Sequence, residues 1–136
     1  MIVVDSSALI AILLNEDDAS DYMQVLMMQV LMASGVNLSA FTWFEARTVL
    51  WRSPDPSLVE DLDTLIDELS ATLHAFDKRQ SEAAFKACRT YGKGTHPAKL
   101  NLGDCASYAL AKTLDVPLLY KGNDFAQTDV RSALTD

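Results

Sequence analysis

Four acidic residues stand where chemistry is done in α/β proteins: Asp5, Glu45, Asp104 and Asp124. Asp5 ends the apolar run Ile2-Val3-Val4, which reads as a short buried parallel strand. Asp104 stands at a helix entry, because Asn101 is a good N-cap and Gly103 to Lys112 lacks breakers. Asp124 follows Val116 to Tyr120, a further strand. In an open α/β sheet the ligand crevice lies outside the C-terminal ends of the strands. Glu45 differs, since its helical neighbours are Phe41, Thr42, Thr48 and Val49, a surround less polar than a solvated glutamate would choose. Gathered carboxylates repel, and each tends to take up a proton. A divalent cation relieves this, and oxygen-only ligands suit Mg²⁺ or Mn²⁺ with water and a substrate phosphate completing the shell. Such a site activates water and stabilises charge on a phosphodiester oxygen. The chain has no Ser-His-Asp spacing, no Walker loop and no GxGxxG. Each acid also has a plain alternative: Asp5 as a helix cap, Glu45 as a surface residue. With nineteen acids available, spacing alone does not single out these four.

The elements that must position them follow in order. After Asp5, either Ser6 or Ser7 can cap a helix from Ala8 to Leu14. Glu16-Asp17-Asp18 opens the next helix, which from Tyr22 to Met32 is apolar almost all round. That girth means either a fully covered helix or one whose outer face meets another chain, and the second is slightly preferred in a chain this short. Val36-Asn37-Leu38 reads as a second strand. Ser39 or Thr42 caps a helix running to Trp51. Pro56 to Leu69 is an acidic amphipathic helix whose acids read as a wet face. Leu73 to Phe76 is a strand that packs His74, and Asp77 to Gln80 resembles a capping box. From Lys78 to Lys99 the charge reverses: Lys78, Arg79, Lys86, Arg89, Lys93 and Lys99 face one acid, Glu82. Gly92-Lys93-Gly94 and Pro97 mark a loop leading to Asn101. Arg89, Lys93 and Lys99 lie nearest that loop and are candidates to contact substrate phosphates, whereas Lys78 and Lys86 read equally well as a solvated helix face. The resulting order, β α α β α α β α α β, predicts a three-layer α/β/α fold on a central parallel sheet.

Length predicts one domain over residues 1–136. A formal net charge of −8 excludes a uniformly basic nucleic-acid binder. Cys88 and Cys105 lack metal-ligand spacing and read as small buried hydrophobes in a reducing compartment. No signal peptide is visible, and the longest apolar stretch, Val25 to Ala33, is too short for a membrane span. The expectation is a cytoplasmic protein with no membrane contact.

Several segments carry a more specific signal. These are Ile2-Val-Val-Asp-Ser-Ser-Ala8, Ser39 to Glu45, and Tyr91-Gly-Lys-Gly-Thr-His-Pro97. With them go Leu100-Asn-Leu-Gly-Asp-Cys-Ala-Ser-Tyr-Ala-Leu-Ala111, Pro117-Leu-Leu-Tyr-Lys-Gly-Asn-Asp-Phe125 and Thr128-Asp129. Over nearly its whole length the chain resembles the PIN-domain ribonucleases, specifically the VapC toxins of bacterial toxin–antitoxin pairs. The resemblance implies a PIN fold and a Mg²⁺-dependent endoribonuclease, with Mn²⁺ able to substitute. It implies structured RNA, tRNA or rRNA, as substrate and a cognate VapB-like antitoxin as partner, while the apolar girth from Tyr22 to Met32 adds the expectation of a homodimer. Carried onto this sequence, the catalytic metal ligands fall on Asp5, Glu45 and Asp104. Asn123-Asp124 stands where relatives often carry two acids, so Asp124 is assigned as the fourth with Asn123 beside it. Asp129, acting through water, is the alternative. Ser6, Ser39 and Thr128 would support these ligands from behind. The rival readings are a catalytically inactive PIN domain acting as a protein-interaction module, and a phosphoacceptor or aspartyl phosphatase domain. The latter usually sets a second acid beside the first, where this chain has Ser6-Ser7.

Overall fold

The computed structural model describes residues 1–134. The chain runs β1 (Ile2–Val4), α1 (Ser6–Leu13), α2 (Ala19–Leu31), β2 (Val36–Ser39), α3 (Ala40–Trp51) and α4 (Leu58–Glu68). It continues through β3 (Thr72–His74), α5 (Lys78–Tyr91), α6 (Leu102–Leu114) and β4 (Leu118–Leu119) to a single 3₁₀ turn at Phe125–Gln127. The sheet is parallel throughout, in the order β3-β2-β1-β4. This is the three-layer α/β/α arrangement expected from the element order.

Strand β1 is short but covered on both faces. Ile2 and Val4 point into a core shared with α1 to α4, while Val3 points into a second core with α5 and α6. Leu118 and Leu119 divide in the same way between the second core and the first. Alternation with a period of two, buried on both sides, is why these runs read as continuous apolar segments. Asn37 is the polar exception inside β2. Its Nδ2 donates to the Ile2 carbonyl at 3.0 Å, and its Oδ1 sits 2.8 Å from His74 Nε2, tying three adjacent strands together. His74 is thus a sheet residue, as its sequence position suggested.

Element ends differ from expectation by a few residues, with two instructive cases. Asp5, rather than Ser6 or Ser7, is the N-cap of α1, so the helix starts at Ser6. Strand β4 shrinks to two residues, and its free edge is covered by the C-terminal segment, where Leu118 bridges Ser132. Asp77 caps α5 by accepting from the Gln80 amide at 2.9 Å, whereas the Gln80 side chain turns to Thr113 instead of closing a capping box. Helix α2 buries only Ala19, Tyr22 and Leu26, so it is not the fully covered helix of the alternative reading. Among the described residues no helix is long and apolar enough to cross a membrane.

Candidate active site

The parallel sheet delivers one end of each strand to the same rim. Asp5 lies there, 1 % exposed, between β1 and α1. Its Oδ2 accepts from the Ser7 amide at 3.0 Å and the Ser7 hydroxyl at 2.6 Å, and its Oδ1 accepts from the Ser107 hydroxyl at 2.6 Å. Ser107 in turn lies 3.0 Å from Thr42 Oγ1 on α3, in a fully buried pair. Ser7 Oγ also accepts from the Lys121 amide at 3.0 Å, which fastens the loop after β4 to the end of β1. A carboxylate held by three donors has little freedom left, and its charge faces the positive N-terminus of α1.

Asp104 is held from the other side by a single donor to its carboxylate. It stands at the third position of α6 and closes a capping box: Asn101 Oδ1 accepts from the Asp104 amide at 2.8 Å, and Asp104 Oδ2 accepts from the Asn101 amide at 3.0 Å. Glu45 reaches in from the middle of α3 and accepts from the Ser6 hydroxyl at 2.8 Å. It lies against the first turn of α6, where a Cβ on Gly103 would collide with its carboxylate. Asp124 is half-buried at the start of the 3₁₀ turn anchored by buried Phe125.

The charges sense one another. Burial raises Asp104 most, to about 7; the Asn101 amide opposes this, while the charges of Asp5, Glu45 and Asp124 add to it. Burial also pushes Glu45 above the usual carboxylate range, with the Ser6 hydrogen bond pulling back and Asp5 adding to the rise. Lys121, the cation nearest in sequence to Asp124, turns its ammonium to Glu16 and Asp18 at 3.1 Å each. The four acids form a cleft, not a closed cage: among the described residues no three acidic, histidine or cysteine side chains converge tightly enough to hold an ion by themselves.

The remaining sequence candidates sort by what they touch. Ser6 bonds a site carboxylate. Ser39 caps α3 by accepting from the Phe41 amide at 3.2 Å. Thr128 donates to the Phe125 carbonyl at 2.7 Å and accepts from the Val130 amide at 3.3 Å, bracing the turn that carries Asp124. Asn123 is exposed. Asp129 accepts from Tyr108 and pairs with Lys112 at 3.1 Å, and these two hold it below the usual carboxylate range. Arg89, Lys93 and Lys99 are exposed, with the Arg89 guanidinium 5.9 Å above the Phe85 ring. Sequence reasoning missed Ser7, Ser107, Thr42 and Gly103 as supports. Ser107 carried a usable signal, because three residues after Asp104 it must share that helix face.

Beside Glu45 runs an apolar groove of about 450 Å³ between α3 and the start of α6, walled by Phe41, Phe44, Val49 and Leu102. Of the four acids, Glu45 lines it.

The PIN domain family model matches residues 2–131. Ribonuclease VapC28 of Mycobacterium tuberculosis is 44% identical over 133 residues, covering 97% of each chain. Ribonuclease VapC of Mycolicibacterium smegmatis is 41% identical, covering 94% of this chain and 96% of the relative. Among solved structures, the Mycobacterium tuberculosis toxin VapC20, described as cleaving the sarcin-ricin loop, superposes with a TM-score of 0.75 at 13% identity, over 96% of each chain. FitAcB of Neisseria gonorrhoeae superposes with a TM-score of 0.69 at 22% identity, over 97% of this chain and 96% of that one. The chain belongs to the PIN-domain family and, within it, to the VapC ribonuclease toxins.

Proposed function

We propose that this chain is a divalent-metal-dependent endoribonuclease, the cytoplasmic toxin of a toxin–antitoxin pair, and that it hydrolyses phosphodiester bonds in structured RNA, tRNA or rRNA. The observation that carries this is Asp104: a carboxyl fixed by its own helix cap, yet pushed up to about 7 by burial and by three neighbouring carboxylates. The donor set fits Mg²⁺ or Mn²⁺, being all oxygen, with no cationic side chain bonded to any of the four acids among the described residues. Asp5, Glu45, Asp104 and Asp124 would hold the ion. When bound, it acidifies water and stabilises charge on the phosphodiester oxygen. An open cleft suits that use, because water and the phosphate must complete the shell. Ser7 and Ser107 fix both oxygens of Asp5, and Ser6 aims Glu45 across the cleft. Asp124 is preferred to Asp129 as the fourth acid, since Asp129 is already paired away from the cleft. Arg89, Lys93 and Lys99 are proposed RNA contacts flanking the site.

A VapB-like antitoxin is the proposed partner. The groove beside Glu45 gives it a place from which an apolar segment would block the site. The outward face of α2 is the proposed surface for a second copy or for the antitoxin.

The test is cleavage of total tRNA by protein stripped of antitoxin, in Mn²⁺, Mg²⁺ or EDTA. Cleavage should require the metal, and Asp5→Asn or Asp104→Asn should each lower it at least ~100-fold with the fold intact. Full activity of folded Asp104→Asn would overturn the assignment. No cleavage in any metal would favour an inactive interaction module.

A further inference from the structure

One hollow lies outside the carboxylate cleft and is not used by the chemistry above. It has a volume of about 430 Å³ and lies between α5 and α6. That is the low end of the ~300–1,000 Å³ typical of small-ligand sites. Its floor is Ala83, Ala87 and Ala109, small residues that leave the space unfilled. At one end stand Tyr91 and Tyr108, both half-buried, with ring centroids 5.6 Å apart and planes inclined at 59°. His96 extends this aromatic wall, edge-on to Tyr91 at 5.0 Å. Lys86 lines the hollow and makes no ion pair among the described residues. Lys112, also lining it, neutralises the one acid there, Asp129. In a chain of net charge −8, this hollow carries a local excess of positive charge.

Position gives the hollow its meaning. Tyr108 follows Asp104 by four residues on α6, so the two share a helix face about 6 Å apart along the axis. The aromatic wall therefore begins about one helical turn from Asp104. A strand whose phosphate lay in the carboxylate cleft would place an adjoining nucleotide at the tyrosines. Flat aromatic rings beside a free cation are the means by which proteins hold unpaired bases, stacking the base and pairing the phosphate.

We propose that the hollow walled by Tyr91 and Tyr108 and edged by Lys86 is a subsite for one unpaired nucleotide of the RNA strand, base against the tyrosines and phosphate at Lys86. The inference rests on the ribonuclease reading above and deepens it. A duplex does not fit a hollow of this size, so the subsite selects RNA that is single-stranded beside the cut.

The experiment compares two probes of equal charge in Ca²⁺, an eight-residue oligouridylate and an abasic oligomer of the same length, by fluorescence anisotropy. The wild-type chain should prefer the uridylate. Tyr91→Leu and Tyr108→Leu should each lower that preference by about 5- to 150-fold, the range for loss of one stacked base. Lys86→Ala should keep the preference, weaken both probes, and make the salt slope shallower by about 0.7. Folded tyrosine variants with the wild-type preference would overturn the subsite. So would an unchanged salt slope in Lys86→Ala. If the leucine variants fail to fold, photocrosslinking of 5-iodouridine in the same oligomer to the wild-type chain decides: the crosslink should fall on Tyr91 or Tyr108, and crosslinks elsewhere alone would overturn the subsite. Parallel cleavage of total tRNA in Mn²⁺ separates the two failures. A wild-type chain that cleaves tRNA but fails these tests loses the subsite only, whereas one that neither binds nor cleaves loses the ribonuclease reading as well.

Discussion

Gly103 shows how much a single missing side chain can decide. Its helical position needs no unusual backbone, but a Cβ there would occupy the space of the Glu45 carboxylate. Gly103→Ala should therefore displace the Glu45 carboxylate, the far end of a flexible side chain, while changing stability by no more than about 1 kcal/mol. It should also lower RNA cleavage by ~10- to 100-fold, because an ångström of misplacement at a reacting centre is expensive. A thermal melt and a tRNA cleavage assay check both halves; full activity would show that Glu45 can move without consequence. Ser107 makes the complementary case. Its hydroxyl is fully buried between Asp5 and Thr42. Ser107→Ala should cost about 1–3 kcal/mol by leaving Asp5 Oδ1 short of a donor and the Thr42 hydroxyl short of an acceptor. Denaturant titration reads this directly, and an unchanged midpoint would mean that water or Thr42 takes over. Gly103 was not visible as functional in the sequence, because it acts by volume, and Ser107 offered only its place on the Asp104 helix face, because its partners lie more than sixty positions away.

At the scale of elements, the sequence was most legible where periodicity and caps agreed. The order of strands and helices followed from short apolar runs alternating with helical stretches. Asn101 and Asp77 identified their helix starts by residue type alone. Ends were less legible where one residue serves two purposes, as Asp5 does in capping α1 and facing the cleft. Strand β4 was overdrawn because Val116 to Tyr120 is apolar throughout, while only Leu118 and Leu119 pair with β1. Helix α2 illustrates what a one-dimensional pattern leaves open. Its apolar girth fitted both burial and partnership, with partnership slightly preferred. In the fold, Met27, Met28, Leu31 and Met32 are exposed, Leu31 by 76 % and Met32 by 65 %. Met28→Lys should accordingly change the melting temperature by no more than ~2 °C, as surface substitutions do. It should shift a copy-bound or antitoxin-bound population toward free chain in analytical ultracentrifugation. Unfolding of the variant would show that α2 is covered from within.

The molecule as a whole brings together acids whose repulsion burial intensifies, and that gives its stability a pH signature. Asp104 ordinarily would titrate near 3.8, and in the fold it is raised to about 7. A carboxyl raised on folding favours the folded state while protonated. Its contribution is fully present below about pH 4 and is lost as pH rises toward and through about 7. Asp129, held below its ordinary range, acts in the opposite sense, since its contribution is lost on acidification. A single melting curve therefore mixes the two, and the difference between the wild-type chain and Asp104→Asn isolates the first. An amide at this position can still accept from the Asn101 amide through its carbonyl oxygen, so the cap is retained. In EDTA, Asp104→Asn should gain stability relative to the wild-type chain as pH rises from 4 to 8. In saturating Mg²⁺ the gap should narrow or reverse. On the proposed metal-site reading, the ion would bind the deprotonated carboxylates of the wild-type chain, stabilise the fold by mass action, and meet a weaker site in the variant. Melting temperatures of both chains at several pH values, with and without Mg²⁺, measure the effect. Parallel profiles in EDTA would mean that Asp104 ionises in the fold as it does in the unfolded chain, and that the four carboxylates do not share one field.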